Sequence, residues 1–207
     1  MGSEMCIRDS VETELMLADL ESLEKRIDPL SKKIRGNDKE AKQQLAIIER
    51  VLVALHAGKP ARNLALADED LRLFKMLNLL TSKPVLYVCN VEENDAGEGN
   101  AYTKAVAKYA KESDAGSMII SAKIESEVSQ LTNKEERDEF LEAMGLKDAG
   151  LARLIRSGYE LLGLITYFTA GQKETRAWTI EENTKAPQAA GVIHTDFERG
   201  FILSLIH

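Results

Sequence analysis

The stretch that most restricts the fold is VLYVC, Val85 to Cys89. Five apolar residues in a row, behind Pro84 and ahead of a polar turn, suit a strand covered on both faces rather than one with a wet side. Asn100 can cap a helix running to about Glu112, with Val106 and Tyr109 turned inward. Ser117 to Ser121 (SMIIS) then reads as a second buried strand. A strand, a helix and a strand in that order form the connection of a parallel sheet, so the expected class is α/β.

Upstream the period changes. Leu20, Leu23, Ile27, Leu30 and Ile34 are separated by alternating steps of three and four, which puts them on one seam of a helix. A second seam follows at Ala41, Leu45, Ile48, Leu52 and Leu55, and Gly36-Asn37-Asp38 between them supplies a turn and an N-cap. The expected result is an antiparallel helical hairpin, kinked at Pro29, where the missing N–H removes a helical hydrogen bond. The turn end carries Lys32, Lys33, Arg35, Lys39 and Lys42 against Asp38 and Glu40 alone. This basic tip is either a solvated helix face or a contact for phosphates. A further helix is expected around Leu71 to Leu80.

Downstream, Thr132 with Glu135 forms a capping box for a helix closed by Gly145, and another helix runs from about Leu151 to Leu162. LITYFTAG and ETRAWTI, separated by Gly171-Gln172-Lys173, read as a β-hairpin, with Trp178 expected in a core. Thr195 and Glu198 form a second capping box. The preceding His194 suits a structural or binding-face role better than a catalytic one.

With 207 residues, 44% of them hydrophobic, the chain can bury a real core. Its net charge of -7 argues against wholesale binding of a polyanion such as DNA, and leaves room only for a local basic patch. Cys6 and Cys89 are the two cysteines, the second inside the apolar run, which fits a reduced, cytoplasmic compartment. No apolar run approaches the roughly 20 residues of a membrane span. MGSEMCIRDS and the closing residues 203–207 share no pattern with their neighbours and read as non-native tails.

The strand ends carry the chemistry. Ligands of doubly wound sheets lie beyond the carboxyl ends of the strands, where this chain places Asn90-Val91-Glu92-Glu93 and Ser121-Ala122-Lys123. Either motif alone also suits an ordinary strand-ending turn. Together, on successive strands, they match the base-recognition ends of a P-loop GTPase-type domain, whose usual form of the first is NKxD. Val91 replaces that lysine and Glu93 that aspartate. An asparagine amide can accept from the adenine amino group and donate to the neighbouring ring nitrogen, a pairing worth roughly 1–3 kcal/mol of discrimination.

From about Val11 to Ile202 the sequence resembles the Obg-like ATPases, also called the YchF family, most specifically in RDEFLEAMGL, LIRSGYELLGLITYFTAG, ETRAWTI and APQAAGVIHTDFERGFI. The resemblance implies the C-terminal half of a P-loop NTPase domain (residues 81–163) with an inserted antiparallel helical hairpin (11–80), followed by an incomplete α+β ubiquitin-like, β-grasp TGS domain (164–202). It implies that Asn90, Val91, Glu93, Ser121, Ala122 and Lys123 surround an adenine base. It also implies ATP and Mg2+ as ligands and the ribosome, through its large subunit or ribosomal RNA, as partner. Lys123 could instead be a surface lysine whose methylenes cover apolar area. G-x-x-x-x-G-K-[ST] occurs nowhere, so the residues that hold phosphates and help hold magnesium are not in this sequence, and no catalytic residue is assigned. Three functions remain: an ATP-hydrolysing switch that works at the ribosome, a non-enzymatic RNA- or ribosome-binding module using the tip and the TGS domain, and a coiled-coil adaptor that leaves the strand-end motifs unexplained.

Overall fold

The computed structural model describes residues 3–202, with side chains described from Arg8 onward. The chain divides between Pro84 and Val85 into two compact units.

In the first unit α1 (Ser3–Arg35) and α2 (Lys39–His56) pack against each other across a short turn. Asn37 takes the left-handed conformation at φ 64, and Asp38 accepts from the Ala41 amide at 3.0 Å to start α2. α1 begins within the first ten residues and runs without a break through Pro29. The expected seams are present, with Leu23, Leu30, Ile48 and Leu55 buried, but Ile47 and Val51 are buried as well. The reason is a third helix, α3 (Asp68–Leu77), which also packs on α2 and buries Leu73 and Leu77 in the same core. α2 is thus covered on more of its circumference than a two-helix hairpin requires.

A buried carboxylate ties this unit together. Asp19, 3% exposed, accepts from the amides of Leu80 and Thr81 at 2.8 Å each and from the Thr81 hydroxyl at 2.6 Å. The same hydroxyl accepts from the Ala61 amide at 3.2 Å. These hydrogen bonds join α1 to the connection leaving α3, and three donors stabilise a charge that burial would otherwise penalise.

The second unit opens with β1 (Leu86–Asn90), α4 (Ala101–Glu112) and β2 (Gly116–Ile120). The two strands pair in parallel, with Asn90 opposite Ile120. Asn100 caps α4 through the amides of Tyr102 and Thr103, with Thr103 returning the bond in a capping box. Next come α5 (Ala122–Gln130), α6 (Lys134–Ala143) and α7 (Gly150–Leu161). α6 is capped by Asn133, whose side chain accepts from the Glu135 amide at 3.0 Å, and not by Thr132. Ile124, Val128, Leu141 and Leu146 form this unit's small core, with Val91 packed on it.

β3 (Leu164–Ala170) and β4 (Thr175–Glu181) make the expected antiparallel hairpin, followed by α8 (Ala186–Ile193) and α9 (Thr195–Arg199). His194, not Thr195, caps α9 by accepting from the Asp196 amide at Nδ1, at 3.2 Å. Trp178 is half-buried rather than a core residue: its Nε1 donates to Thr169 Oγ1 at 2.9 Å and the Arg176 guanidinium lies 4.2 Å from its ring. Among the described residues, none after Gly150 is fully buried.

Candidate functional site

Parallel pairing sets β1 and β2 side by side and in register, so their carboxyl ends arrive together and the two polar motifs meet. Asn90 Oδ1 accepts from the Ala122 amide at 2.9 Å, which fixes the start of α5 against the end of β1. This engages one lone pair of the amide oxygen and leaves the NH2 group, with its two donors, available on an exposed residue. The Val91 amide donates to the Ile120 carbonyl at 2.9 Å, so at Val91 the backbone group left for a ligand is the carbonyl.

Glu93 and Lys123 close the far side of the mouth. Their Oε1 and Nζ lie 2.9 Å apart, with the lysine side chain 63% and the glutamate 29% exposed. The hydrogen bond to Glu93, then its charge, hold the Lys123 ammonium above the ordinary lysine range, and Glu127 and Glu92 add to the effect. The Lys123 ammonium therefore keeps its charge at neutral pH. Ser121 is buried at 3% exposure, and its Oγ has no partner among the described residues.

The six residues expected at the base thus sit on adjoining strand ends. A seventh residue supports them and carried no sequence signal. Glu125, on the first turn of α5, accepts from the Gly150 amide at 2.5 Å and the Leu151 amide at 3.0 Å, and so caps α7, whose own N-cap, Ala149, has no side-chain acceptor. A Cβ on Gly150 would lie 2.7 Å from both Glu125 Oε1 and Ile120 Cγ1, so the absence of a side chain there is what allows the approach. α5 is consequently pinned at Ala122 by one neighbour and at Glu125 by another.

A cavity of about 410 Å3 also opens in this unit, lined by Cys89, Thr103, Ser117, Arg153 and Arg156 among others, and none of the six strand-mouth residues lines it. Cys89 is half-buried there and burial pushes its thiol up, which suits a filler more than a nucleophile. No group of three or more His, Cys, Asp or Glu that could hold a metal ion occurs among the described residues.

The other candidate surface is the tip between α1 and α2. Lys32, Lys33, Arg35, Lys39 and Lys42 are all exposed, and among the described residues none of them is in an ion pair. Both acids of the tip are engaged elsewhere: Asp38 caps α2, and Glu40 pairs with Arg72 at 2.6 Å. The five cations therefore keep their charge available.

Known proteins resemble the chain over most of its length. The chain is 46% identical over 199 residues to the ribosome-binding ATPase YchF of Bacillus subtilis, covering 94% of this chain and 54% of that protein. It is 47% identical over 194 residues to the protein of that name from Haemophilus influenzae, covering 94% and 53%. The solved structure of the Schizosaccharomyces pombe YchF GTPase matches 93% of this chain and 53% of its own with a TM-score of 0.80 and 36% identity. This chain belongs to the YchF family. The family model described as "YchF-GTPase_C: Protein of unknown function (DUF933)" matches residues 164–207. The chain spans about half the length of the curated YchF relatives it matches.

Proposed function

We propose that this chain carries the base-reading portion of an ATP-binding and ATP-hydrolysing switch protein that works at the ribosome in the cytoplasm. The observation that carries the reading is the junction of the two strand-end motifs, Asn90 on Ala122 and Glu93 on Lys123, both at 2.9 Å. Such a mouth suits a purine: Asn90 offers amide donors, Val91 a carbonyl, Ala122 and Ser121 a backbone edge, and the Glu93–Lys123 pair an acceptor beside a donor. Hydrolysis by such a switch would be attack of water on the γ-phosphate, with magnesium supplying charge stabilisation, and the G-x-x-x-x-G-K-[ST] residues that would hold the phosphates do not occur in this sequence. This chain's own contribution is to bind and orient the base.

The 207-residue chain should therefore bind adenosine weakly, with shifts at the Ala122 amide and the Asn90 side-chain NH2 in a nitrogen–proton correlation spectrum. It should hydrolyse ATP no faster than background. Unmoved Ala122 and Asn90 signals at saturating nucleoside would refute the base-reading role, and turnover above background would refute the assignment of the chemistry to other residues.

A second reading is favoured by the tip. Five unpaired cations on an otherwise acidic chain suit the phosphates of ribosomal RNA on the large subunit. Here the hairpin of residues 11–80 is an insert in the nucleotide domain, and β3, β4, α8 and α9 form part of a β-grasp TGS domain that adds a protein or RNA contact. The two readings are compatible, since one uses the strand mouth and the other the helix turn.

A further inference from the structure

We infer that Lys123 is a specificity-determining residue that acts through Glu93, neutralising the acid so that the strand mouth favours adenine over guanine. The inference rests on the nucleotide reading above and goes beyond it in assigning the choice of base to a pair rather than to the acid alone.

The argument starts from the two bases. Guanine presents adjacent donors, the ring N1–H and the 2-amino group, and a free carboxylate is the best acceptor for both. Adenine presents a ring nitrogen acceptor in place of N1–H, and a free carboxylate facing it meets lone pair with lone pair. Replacing aspartate by glutamate leaves the charge and the acceptor chemistry unchanged, so the substitution at Glu93 does not by itself reverse the preference. In this chain the Glu93 carboxylate is not free: Lys123 Nζ lies 2.9 Å from its Oε1. The ammonium cancels the charge and places N–H donors beside the acceptor, which an adenine ring nitrogen can use. Glu127 and Glu92 also favour the charged form of Lys123. Uncharged nucleosides are the proper probes, because they report the base contacts alone.

The test is a pair of titrations of the 207-residue chain with adenosine and with guanosine, followed at the Ala122 amide, for the parent, Lys123→Met, Lys123→Arg, Glu93→Gln and the double variant Glu93→Gln/Lys123→Met. The ratio of the two affinities is the readout, because a loss of folding or of general binding lowers both together. Lys123→Met should shift the ratio about threefold toward guanosine, the scale of an exposed ion pair, and Lys123→Arg should restore it. In the Glu93→Gln background the lysine should no longer move the ratio. A ratio unchanged by Lys123→Met, or moved equally with and without the Glu93 carboxylate, overturns the inference. Absence of binding by either nucleoside to the parent chain overturns the nucleotide reading itself and the inference with it.

Discussion

The strand mouth and the hairpin tip are built in opposite ways. At the mouth most of the polar groups are already engaged, Asn90 Oδ1 with the Ala122 amide, Glu93 with Lys123, and Glu125 with the amides of Gly150 and Leu151, while the Ser121 hydroxyl and the Asn90 NH2 remain open. At the tip the acids are drawn away, Asp38 into a helix cap and Glu40 onto Arg72, and five cations are left without an ion-pair partner among the described residues. The difference separates two kinds of recognition. A prearranged set of donors and acceptors selects by position and hardly responds to salt, whereas a cluster of unpaired charges selects by field and responds steeply.

The largest expected effect concerns what supports the tip. Leu23 is fully buried in a core made only of residues before Val85, so Leu23→Ala should cost about 2–5 kcal/mol of that unit's stability. Denaturation followed by helical circular dichroism should show the loss, with the Ala122 amide signal unmoved because the strand mouth packs on a different core. A simultaneous change at Ala122 would break the division between the two surfaces.

Reversing Lys32, Lys33 and Arg35 to glutamate should come next. Affinity for ribosomes at low salt should fall about a hundredfold, and the salt slope should shrink by roughly three, while the melting temperature stays within a degree or two, since these side chains are exposed and unpaired. Unchanged affinity would remove the tip from the binding account. The smallest effect is expected at Glu125→Ala, which frees two helix-start amides at a cost of about 1 kcal/mol and should broaden the Ala122 signal by loosening α5. Glu125→Gln, which keeps an acceptor, should recover part of the loss.

How much of this was legible in the sequence depends on the distance over which each contact acts. The α1 and α2 seams and the turn at Asn37 are local, and the residue spacing located them. Ile47 and Val51 escaped because their burial depends on α3, outside the period of α2. The capping residues shifted by one where a Thr-x-x-Glu pattern adjoined a stronger acceptor, Asn133 in one case and the His194 ring in the other. Asp19 and Thr81 are 62 residues apart, and Glu125 reaches Gly150 across α6, so no pattern of spacing could pair them. That the two strand-end motifs adjoin was legible from their order on successive strands joined by a helix. Trp178 was misplaced because alternation alone cannot distinguish a buried strand face from one left half-covered.

The most direct test of the contrast is one titration series at two salt concentrations, about 50 and 200 mM, with adenosine followed at the Ala122 amide and ribosomal RNA followed at the Asn37 amide of the turn. Adenosine affinity should change by less than about twofold, while RNA affinity should fall by about a hundredfold, as five phosphate contacts require. Equal salt dependence at the two positions, or none at either, would contradict the account.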